Sequence, residues 1–219
     1  MLYRFFHRAN PQISCGVHCG TERWAIKTLS DADSRKIDWN PRTISIAELL
    51  RLAAPKVLDD SRSEAETHVY SVEGVLLGWK QETGTHGDRD YHVVLADPDD
   101  LRHTLIAEVP SGDCTGACSS PHVQQFLETR QVLVERLSSP QAHFRRFSTA
   151  WLVRVQGVGF FDIYHNQIGV AENCIELHPV LHIEFLRELG PETELPRRIE
   201  PPAEHRCGRL ERSYSSEEE

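Results

Sequence analysis

The sequence predicts a mainly β protein, an OB-like, five-stranded, partly open barrel with one helix between strands 3 and 4 and a short helical segment at the N-terminus. Two observations carry this. Five β-patterned stretches and one amphipathic stretch follow one another between His68 and Phe185 in the order strand, strand, strand, helix, strand, strand, which is the OB order. Before about residue 67 the texture is irregular, and after residue 186 it turns acidic and proline-rich. Three regions follow: a preamble over 1–66 with one helix packing on the core, a barrel over 67–186, and a disordered charged tail over 187–219.

In the preamble, the run from Thr43 to Leu52 places apolar residues three and four apart behind a Thr or Ser cap, predicting a helix. His68 to Trp79 alternates as a long strand with glycine bends, and Lys80 to Asp90 is a polar loop. Tyr91 to Asp97 and His103 to Val109 are the next two strands, joined by a Pro98-Asp99-Asp100 turn in which Asp97 reads as a turn residue. Pro121 to Leu137 has helical spacing, with Ser119 or Ser120 as cap and Pro121 in the first turn. Trp151 to Phe161 and Ile175 to Phe185 complete the barrel; Pro179 marks an edge or a bulge, and Gly157 and Gly159 permit sharp bending.

This order brings polar residues together. His92 opens the second strand and Glu108 closes the third, so antiparallel pairing sets them side by side. Asp162 closes the fourth strand, Glu176 and His178 open the fifth on one face, and His165 sits on the loop between. Imidazole and carboxylate side chains in this number suit Zn2+, Mn2+ or Fe2+, with Ca2+ as an oxygen-favouring alternative. Equally, such groups cap strand ends and pair with one another in a structural network.

Three functional readings follow. The first is a ligand-binding domain whose polar pole holds a divalent metal, with Tyr91, Asn173 and Lys27 as ligand contacts. The second is a metal-dependent phosphodiesterase or nuclease, in which His92, His165, His178 and Asp162 hold the ion and Glu108 or Glu176 is the base. The third is a non-catalytic binder of single-stranded nucleic acid or oligosaccharide, using aromatics such as Trp79, Tyr91, Trp151, Phe160 and Phe161. These aromatics serve equally as core.

Composition trims the choices. The 219 residues carry 24 Lys and Arg against 33 Asp and Glu, a net charge of −9. No global positive field draws the chain to phosphate backbones or anionic lipid, which disfavours nucleic acid unless Arg130, Arg136, Arg145, Arg146 and Arg154 gather on one side. With 39% hydrophobic residues, 13 Gly and 12 Pro the chain is neither collagen-like, coiled-coil nor wholly disordered. No stretch is apolar enough for a membrane span. The first residues, MLYRFFHRANPQ, lack a secretory core, so the chain as written reads as cytoplasmic, with export open if its true start differs. Neither oligomeric state nor ligand is legible.

Cys15, Cys19, Cys114 and Cys118 form two C-x3-C pairs, a spacing that fits a four-cysteine structural zinc site. Alternatively Cys19 and Cys114 are buried or form one disulfide; Cys174 and Cys207 show no evident partner. No nucleophile lies on an elbow motif.

Four motifs carry a resemblance: E-R-W-x-x-K-T at Glu22 to Thr28, Y-H-x-V-L-x-D at Tyr91 to Asp97, I-A-E-x-P at Ile106 to Pro110, and the long run G-V-G-F-F-D-x-x-H-x-Q-x-G-V-A-x-N-x-I-E-L-H-P-V at Gly157 to Val180. With them the chain resembles an uncharacterised bacterial family of OB-like proteins over about residues 19 to 186. The resemblance implies a shared fold and no particular activity. Its members are often preceded by an export segment and commonly read H-G-Q and A-P-N, where Asn166 and Glu172 stand here. Glu22, Arg23, Trp24 and Lys27 of the first motif reach the polar pole or pair at the surface.

Overall fold

A computed structural model of the chain describes residues 15–16, 18–20, 22–83, 87–190 and 193–210. The elements run α1 (Trp24–Lys27), β1 (Asp38–Thr43), α2 (Ile46–Leu49), β2 (Val57–Leu58), β3 (His68–Gln81), β4 (Tyr91–Ala96), β5 (Thr104–Val109), α3 (Val123–Leu137), β6 (Arg145–Phe161), β7 (Ile175–Glu188) and β8 (Arg209–Leu210). The protein is mainly β. One sheet has the order β1-β3-β4-β5-β7-β6, and β3 also pairs with β6, so β3, β4, β5, β7 and β6 close into a ring. Within it β5 and β7 are parallel and the other neighbours antiparallel.

The strands and helices expected in the ring region are present, β6 starting earlier, at Arg145. The sheet has six strands rather than five because β1 adds in parallel to the first residues of β3. Sequence Asp38–Thr43 exposes nearly every side chain, so it carries no apolar alternation to betray it. The expected preamble helix shortens to the single turn α2, capped by Ser45, whose hydroxyl accepts from Glu48 N while Glu48 returns to Ser45 N. Asp97 does more than turn: Oδ1 accepts from Asp99 N and Oδ2 from Ala47 N, tying α2 to the end of β4.

Period-two alternation sorts the ring into two faces. Tyr70, Val72, Val93, Leu95, Leu105, Ala107, Val109, Val155, Ile175 and Leu177 join the main core. The opposite face of β3 and β6 is covered by a second apolar layer containing Cys19, Leu29, Cys114, Phe126, Val158 and the edge of Trp24. On the core face, Gly159 lets the turn at Glu64–Thr67 approach β6, since a Cβ there would lie 2.5 Å from the Ala65 carbonyl oxygen.

Of three disulfides, Cys15–Cys118 and Cys19–Cys114 hold the cover in place, and Cys174–Cys207 ties the C-terminal segment to the start of β7. The four-cysteine zinc arrangement is therefore corrected. Each C-x3-C pair crosses to the other, which consumes all four sulfurs in covalent bonds. Cys174 and Cys207, without an evident partner in the sequence, bond each other across 33 residues. The first two bridges span 103 and 95 residues and are nested. One such loop constrains the unfolded chain by about 4–5 kcal/mol; the second mainly fixes orientation, because the loop is already closed.

The C-terminal segment also departs from expectation. Leu195 and Ile199 pack on a further apolar cluster with Val75, Leu77 and Val94, and β8 pairs with β2. The bridge at Cys207 anchors it. The end of the expected tail, 211–219, and the N-terminal residues 1–14 lie outside the described residues. No helix among the described residues is long and apolar enough to cross a membrane.

Arg23 locks the cover to the ring. Its guanidinium donates to Glu66 Oε1 at 2.7 Å and Oε2 at 3.2 Å, and to the carbonyls of Asp59, Ser61 and Phe161. Glu66, wholly buried, also accepts from the backbone of Ser63 and Phe161. Removing one partner strands a buried charge, so Glu66→Ala is expected to cost about 3–5 kcal/mol in urea unfolding; a loss below about 1 kcal/mol would contradict this role. Alkylation before reduction is expected to label no cysteine in the native protein, and peptide mapping to return the three pairs above. A labelled quartet at Cys15, Cys19, Cys114 and Cys118 would refute the pairing.

Candidate functional site: a buried acidic pocket beside the ring

Of the polar residues singled out in the sequence, His92, Glu108, Glu176 and His178 lie on the outward face of the sheet, opposite the main core. His92 and Glu108 are direct cross-strand partners, as are Phe160 and Glu176 beside them. Asp162 N bonds the Cys174 carbonyl, which places Asp162 just beyond that pair. A cavity of about 440 Å³ opens there between the β3–β4 loop, the β6–β7 loop and the N-terminal cover. Gly20, Lys27, Glu82, Asp88, His92, Glu108, Asp162, Gln167, Ile168 and Glu176 are among the residues lining it.

Glu108 is the hub. Its Oε1 is 2.8 Å from His92 Nδ1 and its Oε2 3.1 Å from His178 Nδ1, while His178 Nε2 is 3.0 Å from Asp90 Oδ2. The two contacts of His178 are close enough for ion pairs but lack hydrogen-bond alignment. Burial opposes charge on His178, yet Asp90 and Glu108 on its two nitrogens win and raise its pKa to about 9. Burial also works against the Glu108 carboxylate, and His178 and His92 overcome it, holding the group well below the usual carboxylate range.

His92 is fixed from behind. Its Nε2 faces the Ile168 carbonyl oxygen at 2.8 Å and so carries the proton, leaving Nδ1 turned to Glu108 and, at 3.6 Å, to Glu82 Oε1. Lys80 meets the same Glu82 oxygen at 2.7 Å.

Lys27, from α1, is the cation facing the acids. Its Nζ lies 3.8 Å from both Asp88 Oδ2 and Asp162 Oδ2, and above the Phe160 ring. Burial disfavours its charge, but Asp162, Glu108, Asp88 and Glu176 together raise its pKa. The acids outnumber the bases, and protons make up part of the difference. Burial, then repulsion from Asp162 and Glu108, pushes Glu176 well above its ordinary value, and Asp88 rises to about 7 through burial and the charges of Asp90 and Glu108. Glu176 Oε2 is buried with no hydrogen-bond partner.

Five of the expected metal and catalytic residues, His92, Glu108, Asp162, His165 and Glu176, line the cavity with Lys27, while His178 lies directly behind Glu108. His165 sits at the exposed rim, its Nδ1 3.1 Å from the Ile163 carbonyl oxygen, away from the buried groups. Tyr91 is on the core side of β4, edge-on to Trp79 and under the Arg130 guanidinium. Asn173 donates to the Leu49 and Leu52 carbonyls, binding the end of α2. Neither reaches the cavity. Of the five arginines, Arg130, Arg136 and Arg145 lie over aromatic rings, Arg146 donates to the Pro196 and Arg197 carbonyls, and Arg154 bridges Glu73 and Glu184.

Sequence reasoning missed Glu82, Asp88 and Asp90 by treating Lys80 to Asp90 as a featureless loop. A signal was available. Asp88, Asp90 and His92 stand two apart, the strand period of one face continued backwards from β4. Two groups of ligand atoms lie within 4.8 Å of one another as a metal ion requires: Glu82, His92 and Glu108, and Asp90, Glu108 and His178. No protein-family model, curated protein or solved structure matches the chain.

A raised histidine pKa fixes a sign. The stability His178 contributes is fully present below about pH 6.5, its ordinary value, and is lost as pH rises to and through about 9. The difference in urea midpoint between wild type and His178→Gln is therefore expected to shrink across that window. A difference that stays constant from pH 6 to 10 would contradict the Asp90–His178–Glu108 arrangement.

Proposed function

We propose that this chain is a ligand-binding domain whose acidic pocket takes a divalent cation on Glu82, His92 and Glu108. The observation that carries the reading is the state of His92. A histidine that ligates metal through one nitrogen characteristically donates from the other to a carbonyl or carboxylate. His92 has that arrangement: Nε2 is spent on Ile168, and Nδ1 faces two carboxylates at the cavity wall. The second group, Asp90, Glu108 and His178, is a poorer candidate because both nitrogens of His178 are already paired with the two acids and it lies fully buried behind the wall. One nitrogen and two carboxylates suit Zn2+ or Mn2+ better than Ca2+. The cation would also offset the surplus of acids around Lys27.

The architecture supports an OB-like assignment for the ring. Three antiparallel strands, then a helix, then a pair in which the last strand returns parallel to the third, is the OB connection, and its ligands gather between the loops that here bound the cavity. The motif resemblance points the same way. Three disulfides, two of them long-range and nested, favour an oxidising compartment over the cytoplasm, in keeping with the frequent export of the family resembled.

Calorimetric titration of the oxidised chain with Mn2+ and Zn2+ is expected to show one site per chain. His92→Ala should weaken it by at least about 10-fold. Lys80→Met, which releases Glu82 from its competing ion pair, should tighten it. Absence of binding by either ion, or equal affinity in His92→Ala, would overturn the reading.

A further inference from the structure

Two groups in the same cavity have hydrogen-bonding capacity that the protein does not use. Lys27 Nζ has no acceptor at hydrogen-bond distance among the described residues, its two nearest carboxylate oxygens standing 3.8 Å away. Glu176, 2% exposed, is among the residues lining the pocket, and its buried Oε2 has no hydrogen-bond partner. Glu176 Oε2 is too buried for bulk water to satisfy it cheaply, and an unmade hydrogen bond at such a position costs about 1–3 kcal/mol; the Lys27 side chain keeps 9% of its surface exposed. Neither belongs to the proposed cation ligands.

We infer that Lys27, Glu176 and Asp162 form a subsite for a neutral polyhydroxylated ligand, the chemistry of a sugar ring. The choice of class follows from charge and from donor and acceptor matching. Glu82, Asp88, Asp90, Glu108, Asp162 and Glu176 crowd this wall against Lys27, Lys80 and His178, so an anion meets net repulsion from the protein alone. A cationic ligand meets the Lys27 ammonium at the point where the free acceptors lie. A hydroxyl group is both donor and acceptor, so neighbouring hydroxyls accept from Lys27 while donating to Asp162 and pairing with Glu176 whether or not that carboxyl carries a proton. At about 440 Å³ the cavity is within the range of small-molecule sites, and the half-exposed side chain of Ile168 offers an apolar rim for the C–H face of a ring. The subsite shares its cavity with the cation reading but none of its ligands, so the two stand or fall separately.

The test is saturation-transfer NMR on the full oxidised chain with an equimolar mixture of the methyl glycosides of glucose, galactose, mannose and N-acetylglucosamine. Inorganic phosphate and spermidine serve as anionic and cationic probes on the same samples. Transfer to at least one glycoside is expected, with a dissociation constant raised by about 10-fold or more in Lys27→Met, the size of one charged hydrogen bond. Glu176→Gln, which preserves shape and removes one ionisable group, should weaken it less and decides the matter if Lys27→Met fails to fold. No transfer to any glycoside, transfer unchanged in the variants, or binding of phosphate or spermidine in their place would overturn the inference. Mn2+ titration of the same samples separates the two claims: sugar binding without ion binding removes only the cation reading, and ion binding without sugar binding removes only this one.

Discussion

Burying an acidic cluster on the outside of a sheet is the constraint around which this protein is arranged. Asp88, Asp90, Glu108, Asp162 and Glu176 project from the wall that does not face the main core; all but the partly buried Asp88 are almost excluded from water. Several kcal/mol of desolvation per charge must be met by partners. His178 answers Asp90 and Glu108 from within the wall; Lys27 answers Asp88 and Asp162 from the cover. Because Lys27 arrives on a single helical turn with no stability of its own, the turn must be held by something else. Arg23 on Glu66, the Trp24 indole on the Thr115 carbonyl and the nested bridges at Cys15 and Cys19 hold it. The E-R-W-x-x-K-T motif thus reads as an anchor, a wedge and a counter-charge in successive positions.

The site owes its polarity to strand register. On one face of β4, β5 and β7, Val93, Leu105, Ala107, Ile175 and Leu177 are core. Their neighbours on the other face are His92, Glu108, Glu176 and His178. A one-residue slip would exchange the two sets, placing charges in the core, so the apolar pattern that folds the ring also fixes where the acids converge. Chemistry at the pocket then divides. Toward the β3–β4 loop, His92 presents Nδ1 between two carboxylates; beside them, Lys27 and Glu176 offer unspent hydrogen-bonding capacity.

Periodicity made much of this legible. The pairing of His92 with Glu108, and the convergence of Asp162 with Glu176 and His178, follow from where each strand begins and ends, because register is local arithmetic once strands are placed. Residues whose role comes from tertiary contact were not legible. Strand β1 has no buried face to announce itself, and the partner of Cys174 lies in an acidic segment whose composition resembles disorder. Tyr91 and Asn173 sit beside site residues in the sequence and point elsewhere, one by alternation, the other because its amide caps α2. The cross-bonding of the two C-x3-C pairs depends on 15–19 lying against 114–118, which spacing alone leaves undetermined between one metal and two bridges.

The central claim is that His92 Nδ1 and its two carboxylates are built for a cation. Crystals of the oxidised protein grown with Mn2+, measured at a wavelength near the manganese edge, address it directly. The account predicts an anomalous peak bonded to His92 Nδ1 and to carboxylate oxygens of Glu82 and Glu108, with Lys80 turned away and the Ile168 contact intact. An empty cluster with the Glu108–His92 hydrogen bond unchanged, or a peak only at surface acids, would contradict it.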